Sequence, residues 1–166
     1  MKRININIFT NKLLFDITFS TYMVGEGLTE MQAKERYMVQ SATDSDREGK
    51  IYRLIDTAWH NILEQLSAYI EDVQSELLEV DNLISIPESL TISLNIDSAI
   101  PNHSCEAITS YIHNYIVNYA LWNWFLLTKR DEVDIYIGLA NKDMSNIIRI
   151  VTMRNSNGKR GLWKLL

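Results

Sequence analysis

The stretch DSDREGKIYRLIDTAWHNILEQLSAY, residues 44–69, decides the fold class. Ser45 with Glu48 three positions on forms a capping box, in which each side chain satisfies a backbone N–H at the helix start. Asp44 and Asp46 add negative charge where the helix dipole is positive. Ile51, Leu54, Ile55, Ala58, Ile62, Leu66 and Tyr69 then recur at helical spacing, so one face of this helix is apolar and must be covered. Val73, Leu77 and Leu78 extend the same face toward a turn at Asp81 and Asn82.

Two further long helices supply the cover. One starts near Asn102 to Ser104, just after Pro101, with Ile108, Ile112, Tyr115, Tyr119 and Trp122 on one stripe and Ile116 and Phe125 beside it. After a polar break from Thr128 to Asp131, the last runs from about Asp131 to Met153. Val133, Tyr136, Ile137, Ala140, Met144, Ile147, Ile148 and Val151 lie on one side of it. Toward the N-terminus, Gly25 and Gly27 break the chain, and Thr29 with Gln32 offers a capping box for a short helix to about Val39. From Leu13 to Leu28 both periods fit: Leu13, Ile17 and Val24 suit a helix, and Phe15, Ile17 and Phe19 suit a strand. Helix is the preferred reading.

Two runs alternate strictly. Ile4, Ile6 and Ile8 interleave with Arg3, Asn5 and Asn7, and Leu90, Ile92, Leu94 and Ile96 interleave with Thr91, Ser93 and Asn95. Period two marks half-buried strands, near 3–9 and 90–96. A lone strand leaves its ladder open, so they pair with each other or with a neighbouring subunit. The expected architecture is mainly α: a bundle of three to four helices with a small β element, forming one domain over residues 1–153, followed by a basic extended tail, 154–166.

Composition bounds the function. With 166 residues, 46% apolar and 22% charged, the chain reads as an ordinary globular domain. A single cysteine, Cys105, excludes a disulfide within the chain and a multi-cysteine zinc site. The opening MKRININIFT alternates instead of giving the apolar run of a secretory signal, and no stretch has the roughly 18 uncharged apolar residues of a membrane span. The net charge of −5 is unevenly spread. Beyond Met153 there are four basic residues, Arg154, Lys159, Arg160 and Lys164, and no acid; the body has twelve basic against 21 acidic residues, a net −9. An acidic body is poor at gripping DNA.

No catalytic, cofactor or metal motif stands out. Asp44, Asp46, Glu48 and Gly49 imitate the start of a calcium loop, but its twelfth position is Ile55, where a bidentate Glu is needed. His60 and Glu64 stand one helical turn apart without further ligands, and His103, Cys105 and His113 do not share a face. Cys105 in a first helical turn reads as a small buried apolar residue and not as a nucleophile. The aromatic series Tyr111, Tyr115, Tyr119, Trp122, Trp124 and Phe125 is interleaved with Asn114, Asn118 and Asn123. A nucleic-acid stacking platform would carry Lys or Arg there, so the series reads as core or subunit-interface packing on more than one side. In the tail, a glycine-containing spacer leads to an apolar anchor. Lys159, Arg160, Trp163, Leu165 and Leu166 are the candidate partner contacts, with docking on a partner and folding back on the bundle both open.

The run from Asp46 to Trp59, continuing to Leu66 and Tyr69, resembles the long helix of head-to-tail adaptor proteins of tailed phages. The segment Ala120 to Arg130, followed by Tyr136 and a last helix closing at Arg154, is similar too. The pattern over residues 44–154 resembles neck-ring and connector proteins, including those of crAss-like phages; the strands at 3–9 and 90–96 depart from the simple all-helical adaptor. The resemblance implies a virion structural protein without enzymatic activity or cofactor. It would be made in the host cytoplasm and assembled as a homo-oligomeric ring, commonly of twelve copies, between portal and tail or neck proteins. Genomic DNA would pass nearby without sequence-specific binding, and no membrane is involved. The alternatives are a small soluble helical-bundle enzyme or ligand-binding protein, with His60, Glu64 and the aromatic helix lining a pocket, and a nucleic-acid-associated protein using its basic tail.

Overall fold

A computed structural model describes residues 1–28, 33–41, 45–70 and 87–153. The elements follow in the order β1 (Lys2–Phe9), α1 (Thr10–Glu26), α2 (Ala33–Val39), α3 (Ser45–Leu66), β2 (Ser89–Ile96), α4 (Asn102–Thr128) and α5 (Val133–Val151). This is a mainly helical bundle with one small sheet, as the apolar periodicities require. The capping pair Thr29 and Gln32, the residues Val73, Leu77 and Leu78, and the whole tail 154–166 lie outside the described residues.

The two alternating runs pair with each other. β1 and β2 are antiparallel, in register from Lys2 opposite Ile96 to Phe9 opposite Ser89. Ile6, Ile8, Leu90, Ile92, Leu94 and Ile96 are buried on one face. On the exposed face Thr91 donates to Asn7 Oδ1 at 2.9 Å and Ser93 to Asn5 Oδ1 at 2.8 Å, a polar ladder that fixes the same register. The chain passes from β1 into α1 without a loop. The corner is pinned to the start of β2: Thr10 Oγ1 donates to the Pro87 carbonyl at 2.6 Å, and the Thr10 N–H to the Glu88 carbonyl at 3.0 Å.

α1 resolves the ambiguous segment as a helix. Leu13, Ile17, Thr21 and Gly25 recur every four residues and are buried. At Gly25 a Cβ would stand 2.9 Å from Gln40 Cγ, so a larger residue here would require the Gln40 side chain to shift. The segment after α2 is held from two sides: Thr21 Oγ1 accepts from the Ser41 N–H at 3.2 Å, and Trp124 Nε1 donates to the Val39 carbonyl at 2.6 Å. Arg47, in the first turn of α3, donates to the Tyr37 and Gln40 carbonyls, covering the otherwise unpaired acceptors at the end of α2.

α3 buries the expected face, Ile51, Leu54, Ile55, Ala58, Ile62 and Leu66, with Tyr69 partly buried against the core. Its α-helical run is shorter than the apolar pattern suggests. It stops at Leu66, tightens into a 3₁₀ turn over Ser67–Tyr69, and Ile70 is extended, bridging to Leu94 of β2. The Ile70 N–H still donates to the Leu66 carbonyl at 3.2 Å, so the chain leaves the helix for the sheet edge at this residue.

α4 lies at the centre, against α1, α2, α3, α5 and β1. Its buried residues go round the helix: Ile108, Ile112, Tyr115 and Ile116 on one side, Val117, Leu121, Trp124 and Phe125 on the other. A short 3₁₀ turn, Arg130–Glu132, reverses the chain, and α5 returns along α4 with Phe125 and Tyr136 rings 5.2 Å apart. Ile116→Ala removes a fully buried side chain from the middle of α4. It is expected to destabilise the fold by about 2–5 kcal/mol, read as a lower urea midpoint at unchanged slope. Phe15→Ser, on the outside of α1, should stay within about 0.5 kcal/mol of the parent.

Candidate assembly surface

The inner face of α1 is apolar, and so is much of its outer face. Phe15, Phe19, Tyr22 and Met23 are 67%, 54%, 48% and 53% exposed. At spacings of three and four residues they form one continuous stripe. Phe15 and Phe19 stack with ring centroids 6.0 Å apart and planes 9° from parallel. Phe9, at the strand–helix corner, is also exposed, with Lys12 Nζ 5.5 Å from its ring centroid. Smaller exposed groups occur at Tyr37 and Met38 on α2, and at Leu126, Leu127, Ile135 and Leu139 on either side of the α4–α5 connection. Single exposed apolar residues are ordinary on a protein surface; a continuous stripe of three aromatic rings and a methionine along two turns of one helix is the kind of surface that marks a contact.

The same helix carries a tertiary polar contact. Asp16 Oδ2 lies 2.6 Å from His113 Nε2 of α4, with the histidine mostly covered and the carboxylate half-exposed. A carboxylate that orients an imidazole is two-thirds of a nucleophilic triad, but among the described residues no Ser, Thr or Cys bonds to this ring. It serves to fasten α1 to α4.

A second polar contact sits between α4 and α5. Asp143 is buried, accepts from Asn118 Nδ2 at 3.0 Å, and burial pushes its carboxyl above the ordinary range. Burial likewise raises the Tyr115 and Tyr136 hydroxyls, which stay neutral. Near these, Trp122 packs edge-on against Tyr119 at 5.3 Å, and its buried Nε1 has no acceptor among the described residues.

The residues singled out in the sequence are dispersed. His60 is exposed and its Nδ1 lies 2.9 Å from the Asp56 carbonyl, with Glu64 exposed one turn on. His103 is exposed at the start of α4, whereas Cys105 is buried with Sγ 3.4 Å from the Pro101 carbonyl, consistent with a small apolar role. Ile55, at the position where a calcium loop needs a carboxylate, is fully buried. Among the described residues no group of three or more His, Cys, Asp or Glu could hold a metal ion, and no helix is long and apolar enough to cross a membrane. Of the aromatic series, Tyr115, Trp124 and Phe125 are buried, and Tyr111, Tyr119 and Trp122 partly buried against the core. The partner-contact candidates Lys159, Arg160, Trp163, Leu165 and Leu166 lie outside the described residues. No protein-family model, curated protein or solved structure matches the chain.

Asp143 gives a stability signature. Its folded-state carboxyl holds its proton to higher pH than in the unfolded chain, so the folded state binds more protons just above the ordinary carboxylate range. Stability therefore falls as pH rises through that window. In Asp143→Asn this fall should be smaller, as measured by urea unfolding at a series of pH values; an unchanged slope would contradict the assignment. A double-mutant cycle on Asp16→Ala and His113→Ala is expected to give a coupling of about 0.2–1 kcal/mol, the range for partly exposed pairs.

Proposed function

We propose that the chain is a virion structural protein: a ring-forming head-to-tail adaptor of a tailed phage, joining the portal to tail proteins around the DNA channel and carrying no catalytic activity. The observation that carries this reading is the exposed apolar stripe Phe15, Phe19, Tyr22 and Met23 on α1. Covering the exposed half of one such side chain is worth about 1–1.5 kcal/mol, so a copy or partner laid along the stripe gains substantially. The pattern resemblance over residues 44–154 supplies the kind of assembly. The acidic body supports it, because a net −9 over residues 1–153 repels DNA moving through a channel. In this reading the ring is built of copies of the chain, commonly twelve, and Lys159, Arg160, Trp163, Leu165 and Leu166 contact portal or neck proteins.

The test is the mass of the purified chain by size exclusion with light scattering, alone and with a candidate portal ring. The full chain should join the portal as a ring, and a chain truncated after Arg154 should fail to. Phe15→Ser with Phe19→Ser should remain folded yet weaken ring formation by about five- to tenfold for each aromatic lost. A monomer or dimer indifferent to portal, truncation and stripe substitution would overturn the reading.

A further inference from the structure

Gly138 stands on the outer face of α5, and nothing within the described chain requires a glycine there. Glycine is a poor helix former, yet a Cβ at this position would come within 4 Å of no neighbouring group. Ile135, one turn before it, and Leu139, the next residue, are both exposed. Spaced four apart, they form a short apolar ridge, and the missing side chain at Gly138 leaves a notch beside it. Gly49 of α3 is as open, but Asp46 and Arg53 flank it one turn away, so it lacks this apolar border.

The stripe on α1 has the complementary shape. Phe15, Phe19 and Met23 are a row at intervals of four, and the parallel Phe15 and Phe19 rings make its first part a continuous ridge. Ridge and notch lie on different sides of the bundle. α1 meets α4 at His113, whereas α5 meets it at Asn118 and Phe125, which point about 120–140° round the helix from His113 at 3.6 residues per turn. They therefore meet only between two chains. We propose that the notch of one copy receives the Phe15–Phe19 ridge of a second copy, with Gly138 where the two helices cross and Ile135 and Leu139 against the rings. Bare backbone at a crossing lets the two helices approach closely, which gives this outward glycine a use. The half-exposed stripe presents roughly 300–500 Å² at about 150–250 Å² for each large side chain, a large part of the roughly 800 Å² each partner covers in a stable complex. Both rims are mixed in sign, Lys12 and Asp16 beside the ridge and Asp134 and Lys142 beside the notch, so like charges do not bar the contact. Because the two patches differ, the joint is head to tail and leaves each copy a ridge or a notch for the next. The inference rests on the stripe being an assembly surface and adds the surface that it meets.

Sedimentation equilibrium of the full chain over a concentration series tests it. The parent chain should self-associate. Gly138→Gln fills the notch; it should raise the urea midpoint, since glutamine is the better helix former, and yet weaken self-association by about tenfold or more. Phe15→Ser with Phe19→Ser removes the ridge and should likewise lose association. Mixed in equal amounts, the two variants should give a one-to-one complex and nothing larger, because one intact ridge and one intact notch remain. A parent that stays monomeric, a Gly138→Gln chain that associates like the parent, or a mixture that stays monomeric would each overturn the proposal. If the stripe variant loses the ring on portal while Gly138→Gln keeps it, the notch is refuted and the assembly reading of the stripe stands.

Discussion

The structure depends on the burial of one helix from nearly all sides. α4 carries apolar residues around its circumference, Ile108, Ile112 and Ile116 toward one set of neighbours and Val117, Leu121, Trp124 and Phe125 toward the other. Exposing any side of it would leave several large side chains in water at about 1.5–3 kcal/mol each. α1 and α2, α3, and α5 are therefore all required as cover; α3 and α5 are amphipathic in the way a covering helix must be, whereas α1 is apolar on much of its outer face as well. Polar contacts then fix how the cover sits: Asp16 to His113 for α1, Trp124 to the Val39 carbonyl for the end of α2, Asn118 to Asp143 for α5.

The sheet has a different task. β1 and β2 bring together residues 80 to 94 apart in the chain and bury one face against the helices, while the Asn5–Ser93 and Asn7–Thr91 contacts hold the other. Because β1 runs straight into α1, the sheet also sets the direction of α1, and with it where the stripe Phe15, Phe19, Tyr22 and Met23 faces solvent. The core requirement and the surface proposed for assembly thus meet in one helix: Leu13 and Ile17 inside, Phe15 and Phe19 outside.

That double demand explains what was legible in the sequence. Where one face is buried and the other polar, as in β1, β2, α3 and α5, the period alone identified the element. In α1 the outer face is apolar too, so Phe15, Ile17 and Phe19 fitted a strand as well as Leu13 and Ile17 fitted a helix. The aromatic crowding on α4 correctly indicated burial on more than one side. The end of α3 was not legible, because Tyr69 and Val73 continue the helical spacing and only the pairing of Ile70 with Leu94 shows where it stops. The Asp16–His113 contact joins residues 97 apart, and the burial of Asp143 follows from the approach of two helices; neither leaves a local signal.

Native-state hydrogen exchange on the free chain tests the central claim most directly. If α4 is the buried spine, amides from Ile108 to Phe125 exchange last and only through global unfolding, with one common free energy equal to that from denaturant unfolding, while the sheet and α1 open at lower cost. Slower exchange in α1 or α5 than in α4, or separate opening of the two halves of α4, would contradict the account.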